Sequence, residues 1–192
     1  MNILIDLVPD TVDVEGIRYK INTDFRVGIL FELLFQDRNY TDEERIRIAL
    51  NLYYEEIPRD EIEAIEKILW FYRCGKEIEA VEGKGEGKTP SMIYSFEHDA
   101  EYIYAAFLSQ YGIDLQDIEH LHWWKFKAMF RSLKDDNKIS EIIRYRAIKI
   151  TNDMSKEEKK FYREMKKIYG LPDNRTEEEK EKDFADTIAS IL

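Results

Sequence analysis

The side chains of this chain that could do chemistry begin with its three histidines, two of which lie close together. His120 and His122 are separated by one residue, and His98 precedes Asp99 farther upstream. Metal ligands on a helix usually lie three or four residues apart because those positions share a face, whereas a spacing of two points the rings about 200° apart. The two rings could reach one ion only if they preceded the first helical turn. We therefore expect histidines that cap a helix or satisfy the core, and a metal-dependent enzyme is the weakest alternative.

A glycine-rich stretch at residues 82–89 ends like a phosphate-binding loop. The Walker pattern requires a glycine five residues before Gly87, and that position holds Glu82. Pro90 stands where the phosphate-binding helix should begin. The carboxylate of Glu82 would also repel the anion. We expect a flexible linker over about residues 76–92 and no nucleotide site.

The remaining nucleophiles and carboxylates form no catalytic pattern. Cys74 is the single cysteine, so it can form no intramolecular disulfide. The serines at positions 91, 95 and 132 lack the strand–turn–helix context of a hydrolase nucleophile. Paired carboxylates such as Glu43-Glu44 are the usual solvated surface of a helix. We predict no catalytic residues, no cofactor and no enzymatic activity.

Composition indicates a folded, helix-rich chain with a large acidic surplus. Hydrophobic residues make up 44% of the 192 positions and aromatic residues 13%, which is enough for a packed core. Four prolines, eight glycines and a charged fraction of 36% favour long helices. The net charge of −11 argues against a nucleic-acid partner, since phosphate-backbone binding needs clustered lysines and arginines. A locally basic stretch at residues 123–149 can face the acidic first half of the chain.

The lack of a recognisable targeting signal in the sequence and the single cysteine favour a cytoplasmic protein. The N-terminus lacks a positive region followed by an apolar core, so we expect no signal peptide. No run of about 18 apolar residues occurs, so we expect no membrane span. A lone cysteine fits a reducing compartment.

The element expected to position the histidines and two tryptophans is a helix over residues 121–134. Its wide apolar stripe, which we expect in the core, consists of Trp123, Phe126, Met129, Phe130 and Leu133. A narrower strip on roughly the opposite side consists of Leu121, Trp124 and Ala128. A helix that is apolar on two sides needs neighbours on two sides, so this strip either packs inside the domain or binds another chain. We predict it as the partner-binding site.

The N-terminal region has the pattern of short strands. Ile3–Val8 could form one strand, and residues 12–14 and 17–21 alternate as a β-hairpin joined through Glu15-Gly16. A two-stranded hairpin is marginal in isolation. We expect it to rest on the helix that follows.

Three helices should follow the hairpin. Residues 24–37 are so apolar that we expect this helix to be buried on all sides. Thr41 and Glu44 form a capping box at the start of the second helix. A third helix from about Arg59 to Gly75 has a predicted stripe at Ile62, Ile65, Leu69 and Tyr72.

The second half of the chain continues with helices. One runs over 97–111 and stops at Gly112, and Ser140 should cap a short helix farther on. Ser155 begins a charged helix with a second capping box, and Thr176 begins the last. The whole predicts a mainly α multi-helix bundle with a small N-terminal β-hairpin. Residues 1–150 should form the helical domain and residues 151–192 peripheral helices that dock loosely or become ordered against a partner.

Several runs together resemble one protein family. They are Leu7–Gly16, Ile21–Arg26, Tyr94–Ala100, Tyr102–Phe107, Tyr111–Leu115, Leu121–Phe126 and Ile142–Arg146. In this order and with this unusual composition, they resemble the bacteriophage "gene product fifteen" proteins of tailed phages and prophages. The resemblance spans roughly residues 7–150.

The resemblance implies a late, morphogenetic protein that acts as a tail-assembly chaperone. Such a protein would bind the long, helix-forming tape-measure protein, or other tail proteins, until tail-tube subunits polymerise. The family supplies no catalytic residues. A minor structural component of the tail or connector is the first alternative, and self-association is a further candidate interaction.

Overall fold

Seven helices and one hairpin make up the part of the chain that the structure, a computed structural model, describes, namely residues 2–76 and 92–172. The hairpin consists of β1 (Thr11–Val14) and β2 (Ile17–Lys20). The helices are α1 (Phe25–Gln36), α2 (Asp42–Tyr53), α3 (Glu61–Tyr72), α4 (Ala100–Tyr111), α5 (Trp123–Arg131), α6 (Lys138–Ala147) and α7 (Lys156–Ile168). The predicted mainly α fold with an N-terminal hairpin is confirmed. The glycine-rich stretch and the helix expected from Thr176 lie outside the described residues.

The chain divides into two compact units. The first comprises residues 1–91 and 95–141, with the hairpin and α1–α5, and the second comprises residues 92–94 and 142–192, with α7. Helix α6 spans the division. The predicted boundary after residue 150 stays a prediction. None of the helices in the described ranges is both long and apolar enough to cross a lipid bilayer.

The hairpin forms where the turn chemistry predicts it. Glu15 and Gly16 have φ angles of 50° and 76°, the two positive values that a tight two-residue turn between twisted strands requires. Val12 and Val14 are buried. The support comes mainly from α3 and not, as expected, from α1: β1 packs against α3, and the Glu15 N–H donates to Glu63 Oε2 at 2.8 Å.

The expected strand at residues 3–8 is wrong. Residues 3–6 form a turn in which the N–H groups of Ile5 and Asp6 both donate to Asn2 O, at 3.0 and 2.8 Å. Leu4 and Leu7 are 88% and 95% exposed. Local hydrogen bonds therefore replace strand pairing here, and the side chains of Leu4 and Leu7 point to solvent.

Helices α1 and α2 begin at the predicted caps. The Asp24 carboxylate accepts the Arg26 N–H, and Thr41 and Glu44 form the full capping box. The expectation that α1 is buried on all sides is wrong, because Leu30 and Phe35 are 49% and 45% exposed. Its buried face consists of Phe25, Val27, Gly28, Phe31 and Leu34.

Helix α3 buries a different face from the predicted one. The buried residues are Ala64, Ile68 and Phe71, whereas Ile62 is 75% exposed. Apolar residues occupy two adjacent strips of this helix, so its sequence allows either phase. The small Ala64 lets neighbouring segments approach, and the Tyr54 hydroxyl donates to its carbonyl at 3.1 Å.

The starts of two later helices, α4 and α6, differ from the predicted ones. Helix α4 ends at Gly112, with φ 64°, as predicted, but it begins after residue 99 because Ser95 and Asp99 form a hydrogen-bonded turn, Ser95 N–H to the Asp99 carboxylate at 2.9 Å. Ser140 does not cap α6. It lies inside the helix, where the Glu141 N–H already donates to Asn137 O.

Helix α7 in the second unit is stabilised by its N-terminal cap and by contacts between aromatic rings. Ser155 and Glu158 form the predicted capping box. No residue of α7 is buried, and Phe161 is 45% exposed. Tyr145 contacts Phe161 and Tyr169 at ring-centroid distances of 6.0 and 5.9 Å. The prediction of a sparsely packed charged helix agrees with this arrangement.

Helices α1 and α5 approach closely because α1 has a glycine at the contact. A Cβ atom added to Gly28 would overlap the Trp123 ring, 2.8 Å from Cζ3 and closer still to Cε3 and Cδ2. Trp123 is fully buried. A glycine within a helix weakens the helix, so its presence here reflects the space that the indole takes.

Replacing Gly28 with alanine should destabilise the first unit. Alanine normally stabilises a helix by about 1 kcal/mol relative to glycine. Here the added methyl must displace a fully buried indole, and overpacking of this kind costs about 2 kcal/mol. Urea unfolding of wild type and Gly28→Ala, followed by tryptophan fluorescence, measures the difference. Ala105→Gly, at an exposed position of α4, calibrates the propensity effect, and a more stable Gly28→Ala protein would contradict the packing argument.

Candidate functional site

The segments that enter α1 and α5 are fastened to each other by a short antiparallel bridge. Asp24 pairs with His122. The Phe25 N–H donates to Leu121 O and the Trp123 N–H to Thr23 O, both at 2.8 Å. The helix N-termini are thus held side by side, and each has its cap residue in the bridge.

Arg26 ties the same junction to the loop before α5. Its guanidinium donates to Leu115 O at 3.0 Å and Ile118 O at 2.8 Å, and it lies 3.2 Å from the Asp24 carboxylate. Asp24 Oδ2 also accepts the Leu121 N–H at 3.3 Å. One carboxylate and one guanidinium therefore satisfy backbone groups that regular structure leaves without partners.

His122 is the cap of α5 and is 6% exposed. Its Nδ1 accepts the Trp124 N–H at 3.1 Å, so the proton is assigned to Nε2, which donates to Pro9 O at 3.1 Å. Burial lowers the pKa of this imidazole, although the Pro9 carbonyl opposes that effect. The ring is therefore a neutral structural cap.

The other histidines have separate partners, so the two neighbouring rings do not converge. His120 Nε2 is 3.1 Å from Thr23 Oγ1, and His98 is partly exposed, 3.9 Å from a carboxylate oxygen of Glu97. Across residues 2–76 and 92–172, no three histidine, cysteine or acidic side chains come together as metal ligands. The expectation that these histidines satisfy caps and core agrees with the position of His122, whereas His120 is exposed and caps no helix.

Both indoles of α5 are anchored to the end of α3. Trp123 Nε1 donates to Tyr72 O at 2.9 Å, and Trp124 Nε1 donates to Phe71 O at 2.7 Å. Trp124 also packs against Trp70, with ring centroids 5.6 Å apart. Trp123, Phe126 and Phe130 of the wide stripe are buried as predicted. Met129 and Leu133 are half-buried, and Leu133 lies beyond Arg131, where α5 ends, and not inside the helix predicted over 121–134. The indole of Trp124 packs within its own chain.

Lys127 is a buried cation that the sequence did not single out. Its ammonium lies 5.0 Å from the Trp123 ring centroid, 5.8 Å from that of Tyr72 and 5.9 Å from that of Phe96. Burial lowers its pKa, and the Glu32 carboxylate acts in the opposite direction. The Tyr72 hydroxyl donates to Glu32. Aromatic faces and a nearby carboxylate thus stabilise the charge.

A shallow pocket of about 170 Å³ lies beside this buried cation. Its lining consists of Ile3, Cys74, Trp124, Lys127, Ala128 and Arg131. Gly75, with φ 71°, borders the indole so closely that an added Cβ would be 3.0 Å from Trp124 Cη2. Burial raises the pKa of the Cys74 thiol, while the cations of Arg131 and Lys127 oppose that effect. The thiol is therefore not activated.

The residues predicted to bind a partner occupy two different environments. Leu121 and Trp124 are 8% and 5% exposed, whereas Ala128 is exposed. Trp124 and Ala128 both line the pocket, which Leu121 does not. Partner binding by these residues stays a prediction. Sequence reasoning missed Ile3 and Cys74 because nothing in their spacing links them to α5, and it did not single out Arg131 at the end of that helix.

The chain matches the family model described as "Bacteriophage Gp15 protein" over residues 4–171. It belongs to this family. The resemblance read from the sequence runs is thereby confirmed, and the matched region extends beyond residues 7–150 at both ends. None of the curated proteins and none of the solved structures compared with the chain matches it.

Removing the His122 imidazole should reduce the dependence of stability on pH. Because the pKa is lowered in the folded state, the unfolded chain binds a proton first as pH falls. The stabilisation is therefore complete above the ordinary value of 6.5 and is lost as pH falls through the lowered pKa of the folded state. Neighbouring His120, Lys125 and Asp10 act on the same ring.

The test compares wild type with His122→Asn, which retains a capping oxygen but does not titrate. Between about pH 8 and about pH 5.5, the free energy of unfolding measured with urea should fall more for wild type than for the variant. His98→Asn, at a partly exposed histidine, should behave as wild type does. Equal pH dependence in wild type and His122→Asn would show that the buried ring does not carry the effect.

Proposed function

We propose that this Gp15-family protein is a non-enzymatic tail-assembly chaperone that binds the phage tape-measure protein in the cytoplasm of the bacterial host. The observation that carries the proposal is the family match over residues 4–171. Resemblance to this family implies a role in the late, morphogenetic stage of phage growth. The chemistry of the chain's surface supports the chaperone role within that stage.

Exposed apolar side chains supply the first support. The described chain presents large apolar residues that its own fold leaves in solvent, at the N-terminal turn and on α1: Ile3, Leu4, Ile5, Leu7, Leu30 and Phe35. A tape-measure protein is a long helical chain with apolar stripes, and a holder needs complementary apolar surface. We infer that these side chains contribute to a surface that binds the partner.

Charge supplies the second support. The net charge of −11 keeps a protein with exposed apolar side chains dispersed, since like-charged molecules repel one another. A chaperone that holds an aggregation-prone partner needs both properties together. Apolar contact binds the partner, and the shared surplus of charge keeps the complex in solution.

The third support is the use that the fold makes of its reactive side chains. His122 caps a helix, and Lys127 is enclosed by aromatic rings. The Cys74 thiol has a raised pKa. Each of these groups has a structural explanation, and the conspicuous aromatic residues of α5 serve packing. We infer a protein that works by contact with another chain.

Co-expression with the tape-measure protein of the same phage tests the proposal. The tape-measure protein alone should be largely insoluble because its apolar stripes are unprotected. With this chain it should become soluble and co-elute in a complex on size-exclusion chromatography. Soluble yield and the composition of the eluted peak are the measurements.

Purified virions provide the second measurement. A chaperone leaves before the tail is complete, so mass spectrometry should find no stoichiometric amount of this chain in finished particles. Stoichiometric presence would favour a minor structural component instead. A tightly held equivalent of zinc in the purified protein would favour the metal-dependent enzyme.

A further inference from the structure

The pocket beside α5 has a chemistry opposite to that of the whole chain. Among the described residues, six line the pocket; two of these are cations, Lys127 and Arg131, and none of the six is acidic. The chain as a whole carries 40 acidic residues against 29 basic ones. A locally positive recess on an acidic protein attracts a negatively charged group of a ligand and orients the ligand as it binds.

We infer that this pocket is the docking site for an amphipathic helix of the partner in which acidic residues flank one large apolar side chain. This inference rests on the proposed function and specifies the segment that the chaperone holds. The argument depends on the floor, the opening and the charged rim of the pocket.

The floor of the pocket is an aromatic ring that is held in place, and part of the wall is apolar. The Trp124 indole is fixed by its hydrogen bond to Phe71 O and by its contact with Trp70. Ile3 forms part of the wall and is 45% exposed. An aromatic ring that is already held in place loses little freedom on binding, which favours it as an anchor surface.

The opening depends on small residues. Ala128 is an exposed residue of α5 that lines the pocket, and its small methyl group leaves the recess accessible. Gly75 borders the Trp124 ring without a side chain that would cover it. A volume of about 170 Å³ has room for one large apolar side chain. The pocket therefore suits a single inserted anchor, as in helix-in-groove recognition.

The charged rim lies one helical turn from the opening. Arg131 is exposed and follows Ala128 by three residues on α5, so the two share a face. A carboxylate on the partner can reach this guanidinium when its apolar anchor occupies the pocket. In a partner helix, residues three or four positions from the anchor have the required spacing, and arginine pairs well with carboxylates.

A set of overlapping peptides of about 25 residues from the tape-measure protein of the same phage tests the inference, since that length forms several helical turns. Each peptide is labelled, and its binding to the full-length chain is measured by fluorescence anisotropy. The peptides that bind best should have apolar residues at helical spacing and a surplus of Asp and Glu. Their affinity should fall as salt rises.

Two substitutions in the pocket and one matched control make the assignment specific. Arg131→Glu should weaken binding of the acidic peptides at least tenfold, and Ala128→Met, which fills the opening with a good helix former, should weaken it similarly. Arg163→Glu makes the same charge change at an exposed position of α7 and should have little effect. Circular dichroism should be the same for all three variants.

The outcomes separate this inference from the proposed function. Binding of the whole tape-measure protein that is unaffected by Arg131→Glu and Ala128→Met would overturn the pocket and leave the chaperone role intact. Failure of the tape-measure protein and all of its peptides to bind would overturn both. Self-association of the chain that Arg131→Glu abolishes would overturn the inference in favour of a second copy as the occupant.

Discussion

The bridge between residues 23–25 and 121–123 is the interaction on which the rest of the first unit depends. Helix α5 has only nine residues and no acidic residue in its first turn, so it would be unstable alone. Two backbone hydrogen bonds and the His122 cap fix where it begins. Once this start is fixed, helical geometry fixes the direction of every side chain that follows.

The positions of the tryptophans and the buried lysine follow from that starting point. Trp123 and Trp124 come immediately after the bridge, and their indole N–H groups reach two adjacent carbonyls at the end of α3. Lys127 is four residues after Trp123, so its stem passes over the same indole. Gly28 lets α1 lie against this ring. The packing of Trp123 in the core, the position of the Lys127 cation and the Trp124 floor of the pocket therefore all follow from where α5 begins.

Local chemistry could be predicted from the sequence, whereas the choice between equivalent faces could not. Two capping boxes, the Glu15-Gly16 turn and the Gly112 stop depend on residues within one turn of each other, and all four form as predicted. The buried face of α3 depends on which neighbour packs against it. Ile62 and Ile68 are equally apolar, and only tertiary contact selects Ile68. The pocket could not be predicted from the sequence for the same reason, because Ile3 and Cys74 come near α5 only in the folded chain.

The charge of the whole chain bears on which occupant the pocket can take. Two copies each carrying a net charge of −11 repel at distances up to the Debye length, about 8 Å at physiological ionic strength. The exposed guanidinium of Arg131 at the rim could attract an acidic segment of a second copy, but that approach would also bring the two acidic bodies together. A partner with a lower overall charge and one acidic helical segment gains the same local attraction without this cost. The charge distribution therefore favours a different polypeptide over self-association.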